Sequence, residues 1–86
     1  MPDRTANNHE YLTSDTSLAS FLVSEGYDLL IIRYNGNGIG TYTFDTQAPT
    51  FWDSVRMYHR GEALTNVSLY EQARHKLLDR VKRGLP

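Results

Sequence analysis

Residues 27–45 read YDLLIIRYNGNGIGTYTFD, in which two apolar runs stand on either side of a repeated Asn-Gly pair. Asn-Gly pairs take positive φ at little cost, so this pattern is typical of a β-hairpin. We predict strands over 27–34 and 39–45. The first is apolar on both faces, which indicates a central strand, whereas Tyr42 and Phe44 alternate with threonines as in a half-exposed edge strand.

A first helix is predicted just before the hairpin, over about residues 15–25. Ser14 or Asp15 offers a side-chain oxygen to the free N–H groups at its start. Gly26 follows its end, where glycine most easily takes the left-handed conformation. One apolar stripe is formed by Leu18, Phe21 and Leu22. Residues 10–13 are a candidate third strand.

Two further helices are predicted after the hairpin. The second covers about residues 49–60, because Pro49 suits a first helical position and Gly61 can end the helix. The third covers about 69–83, because Ser68 and Glu71 have the spacing of a capping box at its start. The fold class is therefore α+β, with a small antiparallel sheet packed against three helices.

The chain has 86 residues and 40% hydrophobic residues, enough for one core and too few for two. We expect a single domain over residues 10–86. Residues 1–9 are polar and aperiodic, and are predicted to be a loose tail.

Cysteine is absent, so the sequence excludes disulfides, thiolate metal ligands and cysteine nucleophiles. A small domain without such cross-links fits a reducing cytosol. The N-terminus lacks the apolar core of a secretory signal, and the longest aliphatic run is Leu29–Ile32. We expect a cytoplasmic protein with no membrane segment.

The formal net charge of −1 conceals an asymmetry along the chain. Residues 1–45 carry six acidic and two basic side chains, whereas residues 46–86 carry seven basic and four acidic ones. Such polarity can steer a charged partner or a neighbouring copy without identifying either.

Glycines 36, 38 and 40 resemble a phosphate-binding loop only in composition. Phosphate loops join a strand to a helix N-terminus, whose N–H groups hold the anion, whereas these glycines join two predicted strands. A hairpin turn, with backbone approached closely by another element, explains them better.

Enzymatic groups are not evident in the sequence. His9, His59 and His75 lie in three separate predicted elements, which is unlike a zinc site, and solvated histidines explain them better. No serine or carboxylate stands in the spacing of a nucleophile with its base or of an acid–base pair. We predict no catalysis, no cofactor and no metal.

A basic stripe on the last helix is the most suggestive functional pattern. Lys76, Arg80 and Arg83 follow i, i+4, i+7 spacing, with Arg74 and Lys82 beside them. They could contact nucleic acid or an acidic partner. Alternatively, the cations offset the helix macrodipole and solvate a terminal helix, and the whole-chain pI is only about 6.2.

The hairpin is the second candidate contact surface. Its residues are Tyr34, Asn35, Gly36, Asn37, Gly38 and Tyr42. The two tyrosines could stack on bases or on a protein partner, but tyrosines on small sheets are more often half-buried packing residues.

Several short segments together resemble a family of small bacterial and phage domains of unknown function. They are Tyr11-Leu12-Thr13-Ser14-Asp15, Leu18-Ala19, Gly26-Tyr27, Tyr42-Thr43-Phe44-Asp45, Tyr58-His59-Arg60-Gly61-Glu62, Thr65-Asn66-Val67, Tyr70 and Leu77. The resemblance covers about residues 11–83, apart from the glycine-rich tip and Phe51-Trp52. It implies no activity, but a context: accessory products of phages and mobile elements that bind larger machines.

Three hypotheses follow in order. The first is a non-catalytic interaction module that binds a protein partner or itself. The second is an accessory protein that binds nucleic acid through the basic last helix. A small enzyme is the third.

Overall fold

A computed structural model describes residues 9–34 and 40–83. The elements are β1 (Glu10–Thr13), α1 (Thr16–Ser24), β2 (Leu29–Tyr34), β3 (Gly40–Asp45), α2 (Phe51–His59) and α3 (Val67–Arg83). The predicted α+β class, with three helices and a small antiparallel sheet, is confirmed. The predicted turn at 35–38, the tail over 1–8 and the last residues 84–86 lie outside the described residues.

The sheet order is β1-β3-β2, so β3 is the central strand and β2 is an edge. Our prediction of the opposite arrangement was wrong. Leu12 of β1 and Ile31 of β2 are both register partners of Thr43, which leaves Thr43 only 3% exposed. Alternation in β3 therefore marks which face meets the core, and not how many strands lie beside it.

An irregularity in β2 sets which of its side chains face the helices. Leu29 is partnered with Phe44 and Ile31 with Thr43, so one extra residue, Leu30, is accommodated between them. This bulge lets Leu29 and Ile32 both reach the helix side although they are three residues apart. Leu30 remains 49% exposed.

The ends of α1 follow the prediction. Asp15 caps the helix, because its Oδ1 accepts hydrogen bonds from the backbone N–H groups of Ser17 (3.0 Å) and Leu18 (3.1 Å). Gly26 has φ 95° just after the helix. The predicted stripe of Leu18, Phe21 and Leu22 is buried.

The second helix starts two residues later than the proline pattern suggested, at Phe51. Thr50 is the N-cap but makes no capping hydrogen bond with its side chain. Its hydroxyl is instead 2.8 Å from the Tyr27 hydroxyl, which also bonds to Ser54. Pro49 therefore precedes the helix as part of a turn.

The third helix starts two residues earlier than predicted, at Val67. Asn66 Oδ1 accepts from the backbone N–H of Leu69 at 3.0 Å, which is the bond of an N-cap side chain. Ser68 lies within the helix, where its Oγ is 3.4 Å from Gln72 Nε2. The predicted capping box was therefore wrong.

The core lies between the helices and one face of the sheet. From the sheet it takes Ile32, Tyr42 and Phe44 as its fully buried members. Phe51 anchors α2 there, because its ring centroid lies 5.2 Å from that of Tyr27 and 6.4 Å from that of Phe44. The core thus takes up one face of the described sheet and leaves the side chains of the opposite face outside it.

Candidate functional site

Of the hairpin candidate, only Tyr34 and Tyr42 belong to the described residues. Tyr42 is 1% exposed, and a 3.1 Å hydrogen bond joins its hydroxyl to that of Thr16, so it is a packing residue and cannot meet a partner. Tyr34 is 44% exposed at the end of β2. The four remaining candidates, Asn35, Gly36, Asn37 and Gly38, lie outside the described residues.

The face of the sheet turned away from the helices, called the open face below, carries an apolar row. Leu12, Thr43 and Ile31 are side by side across the three strands. Leu12 is 43% and Ile31 38% exposed. Neighbouring strands are about 4.8 Å apart, so the row spans about 10 Å.

Charged side chains lie at both ends of the open face. Glu10 and Asp45 are register partners at one end, and both belong to the alternation of Leu12 and Thr43. Arg33 lies at the other end, opposite Thr41. Among the residues that the structure describes, Arg33 forms no ion pair. The face is therefore acidic at one end and basic at the other.

The two edges of this sheet are poorly suited to pairing with another strand. β1 has only four residues, and β2 contains the irregularity at Leu30. Short edge strands and bulges are features by which proteins prevent edge-to-edge pairing. A partner would therefore meet the open face more easily than an edge.

The five basic residues of α3 do not form one surface. At 100° per residue, Lys76, Arg80 and Arg83 lie within about 60° of one another, whereas Arg74 and Lys82 lie on other sides of the helix. Arg83 Nε is 3.2 Å from Asp79 Oδ1. The structure thus brings Lys76 and Arg80 together as exposed cations and separates them from Arg74 and Lys82.

Lys76 and Arg80 stand at the rim of a groove between α3 and the segment that joins α1 to β2, called the α3 groove below. Its volume is about 260 Å³. A smaller depression of about 160 Å³ shares Val23, Ala73 and Lys76 with it and extends the groove as far as Leu69. The apolar residues of the main groove are Val23, Leu29, Ala73 and Leu77.

A second pocket, of about 270 Å³, lies beside α1 and is lined by Phe21, Tyr58, Ala63 and Tyr70 among others. Burial, and next the nearby Asp15 carboxylate, raise the pKa of Tyr58 above its usual value. Tyr58 therefore stays protonated at neutral pH. The pocket offers aromatic faces and hydroxyl groups but no acid–base pair among its lining residues.

The described histidines are dispersed on the surface. His75 Nε2 lies 3.7 Å from Glu71 Oε1, and the His59 ring packs edge-on against Tyr58. Within residues 9–34 and 40–83, no three histidine or acidic side chains are grouped so that they could hold a metal ion. No helix in those ranges is long and apolar enough to cross a membrane.

Sequence reasoning missed the open face. The residues of this face were visible in the sequence. Glu10 and Leu12 alternate along a short predicted strand, and Ile31 lies in an apolar run of another. Those positions become one surface only when β1 and β2 are known to flank β3. Neither the pattern nor the spacing of single strands contains that order.

None of the protein-family models, curated proteins or solved structures with which the chain was compared matches it. The resemblance to small phage and bacterial domains stays a prediction. Function must therefore be inferred from the surfaces described above.

Proposed function

We propose that this chain is a non-catalytic interaction module whose open face binds a second copy of the same chain. The single observation that supports this most directly is the row of Leu12, Thr43 and Ile31, in which the two flanking side chains are exposed and Thr43 between them is buried. Two large aliphatic side chains, 43% and 38% exposed, flank a central threonine on a sheet face that the core does not use. Sheets of this kind bury such faces against a second sheet about 10 Å away.

The charges of the open face favour a copy of itself as the partner. A two-fold axis that lies between two open faces and runs across the strands would set Arg33 of each copy over the acidic end of the other. Glu10 and Asp45 form that end. The same contact then occurs twice, as an isologous interface requires.

The size of the open face limits the strength of this dimer. Three strands of four to six residues cover an area about 14 Å wide and about 17 Å long. Standard interfaces bury about 800 Å² on each partner, which is considerably more. We therefore expect a dissociation constant in the range of tens of micromolar or weaker.

Sedimentation equilibrium over a wide protein concentration range tests the proposal. Wild-type protein is expected to shift from monomer to dimer, and Ile31→Asp to remain a monomer. The matched control is Leu64→Asp, because Leu64 is 86% exposed in the loop before α3, away from the sheet.

Because an aspartate could also weaken strand β2, a second variant separates folding from association. Leu12→Thr with Ile31→Thr removes apolar surface but keeps residues that favour strands. Circular dichroism checks that each variant is folded. A wild-type protein that stays monomeric at millimolar concentration, or folded variants that dimerise as the wild type does, would rule out this interface.

The wider setting is part of the same proposal. We infer a cytoplasmic accessory protein of a phage or mobile element, supported by the absence of cysteine and by the resemblance described above. Nucleic-acid binding through α3 is less well supported, because Arg74 and Lys82 lie apart from Lys76 and Arg80. An enzymatic role has no supporting cluster in the described residues.

A further inference from the structure

The α3 groove combines an apolar floor with exposed cations. Ala73 and Leu77 of α3 are 5% and 2% exposed and form part of its floor. Val23 and Leu29, each partly buried, line it from the opposite side. Ala73 and Leu77 are already almost fully buried, so an apolar ligand side chain would cover mainly the partly exposed surfaces of Val23 and Leu29. Removing that apolar surface from water contributes favourable free energy.

Two cations at the rim have no carboxylate partner among the described residues. Lys76 and Arg80 are one helical turn apart and exposed, and neither forms an ion pair there. Asp28 lies on the facing rim, so the groove retains a net positive charge of one. An acidic group next to the apolar side chain would complement this pair.

The length of the groove indicates a peptide. From Leu69 to Arg80 the helix rises about 17 Å, the length of about five extended residues or of about eleven helical ones. Leu69, at one end, is 50% exposed and offers a further apolar contact.

A nucleic-acid strand fits the groove less well. Single-strand binders place free aromatic rings beneath the bases. The aromatic ring in the main groove belongs to Tyr27, which is partly buried, and its hydroxyl is bonded to Thr50 and Ser54 at 2.8 Å each. Its ring also packs edge-on against Phe51. It is therefore a structural residue with no evident freedom to stack.

We propose that the α3 groove binds a short acidic peptide segment of a partner protein, with an apolar side chain against Val23 and Leu29 and a carboxylate near Lys76 and Arg80. The groove lies on the helix side of the sheet, opposite the open face. The site is therefore independent of the proposed dimer, and either can fail without the other.

Selection of a phage-displayed library of random peptides of about 12 residues on the wild-type protein tests this site. Selected sequences are expected to place Asp or Glu beside Leu, Ile or Phe. The strongest peptide is then synthesised with a fluorescent label and titrated by anisotropy. Lys76→Glu with Arg80→Glu should weaken its binding by about tenfold, as expected for two reversed rim charges.

The matched control reverses two cations elsewhere on the same helix. Arg74→Glu with Lys82→Glu changes the net charge equally and should leave the affinity within about twofold. Leu69→Ser, which alters no charge, should weaken binding through lost apolar contact. Circular dichroism verifies that all three variants are folded.

Three results would overturn the proposal. One is a selection that yields no binder or no enrichment of acidic residues. Another is equal weakening by both charge-reversal pairs, since that would reflect net charge alone. The third is a mixed-sequence single-stranded oligonucleotide that binds more tightly than any selected peptide and depends on Lys76 and Arg80, which would identify a nucleic-acid site.

Discussion

At the residue scale, the start of α3 depends on one amide side chain. Asn66 caps the helix through the N–H of Leu69, and its own carbonyl accepts from the N–H of Tyr70 at 2.9 Å. Ser68, which the sequence pattern favoured as the cap, has no such role. A substitution of Asn66 therefore tests the cap, and a substitution of Ser68, only two residues away, is its control.

We expect Asn66→Ala to lower the free energy of unfolding by about 1 kcal/mol, the usual cost of losing an N-cap side chain. Ser68→Ala should change it by less than about 0.5 kcal/mol, because the exposed Ser68 makes only a long bond to Gln72. Urea denaturation followed by circular dichroism measures both. Equal losses in the two variants would contradict the assignment of the cap to Asn66.

Tyr58 provides a residue-scale prediction about pH. Burial, followed by the charge of Asp15, raises the pKa of Tyr58 in the folded protein above about 10, its usual value in an unfolded chain. The unfolded chain then loses this proton first as pH rises. The contribution of Tyr58 to stability is therefore complete below about pH 10 and is lost as pH rises through the folded-state pKa.

Tyr58→Phe removes this titration. We expect the stability difference between wild type and Tyr58→Phe to move in favour of the variant between about pH 9 and pH 11. Denaturation curves at a series of pH values measure the difference, so that titration of other groups cancels. Parallel pH profiles for the two proteins would show that the Tyr58 hydroxyl has an ordinary environment.

At the scale of elements, β3 and α3 approach each other at Gly40. A Cβ atom placed on Gly40 would lie 2.5 Å from Val81 Cγ2, closer than real carbon contacts allow. Gly40 was predicted to allow close approach of another element, and this contact confirms it. The approached strand, however, is the central one and not an edge.

Gly40→Ala should therefore destabilise the protein by about 1–3 kcal/mol, the usual cost of overpacking. Val81→Ala alone should also be destabilising, because Val81 is 5% exposed. The double variant should be more stable than the sum of the two losses predicts, since the smaller side chain leaves room for the new methyl group. If the two losses were strictly additive, the destabilisation by Gly40→Ala would not come from its contact with Val81.

The elements also show which features a sequence can predict. Asp15 and Gly26 bound α1 as expected, because caps and left-handed glycines act through backbone neighbours only. The starts of α2 and α3 differ because Thr50 is bonded to Tyr27, 23 residues away, and because Asn66 competes with Ser68. The contact with Tyr27 is absent from any local pattern, whereas Asn66 and Ser68 are both local cap candidates, between which the sequence pattern did not decide correctly.

The candidate surfaces likewise combine features that local spacing predicts with features that depend on contacts between distant segments. The spacing of Lys76 and Arg80 correctly predicted that they share one side of a helix, which needs only the helical period. The spacing could not show that Val23 and Leu29 lie beside them, because Val23 belongs to α1 and Leu29 to β2. The prediction of Tyr42 as a contact residue was wrong. The hydrogen bond between its hydroxyl and that of Thr16 joins residues that are 26 positions apart, which local spacing does not reveal.

At the scale of the whole molecule, the two proposed surfaces lie on opposite sides of the sheet. If two copies meet through their open faces, their α3 grooves face outwards on both sides of the dimer. Such a dimer would offer two equal binding sites to a repetitive partner, which raises the effective affinity without new contacts. This consequence rests on both proposals together.

The most direct test of the dimer is a charge exchange across the proposed two-fold axis. Arg33→Glu gives an open face that is acidic at both ends. Glu10→Lys with Asp45→Asn gives one that is basic at both ends, and the asparagine keeps an oxygen to accept from the N–H of Gln47, as Asp45 does at 2.9 Å. Each variant alone should repel its own copy.

Sedimentation velocity of the two variants, separately and mixed in equal amounts, measures the outcome. We predict monomers in each separate sample and a dimer in the mixture. In the mixed pair the new glutamate of one variant faces the new lysine of the other, and the retained Arg33 faces the retained Glu10. A mixture that remains monomeric while the wild type dimerises, or variants that dimerise alone, would contradict the face-to-face arrangement.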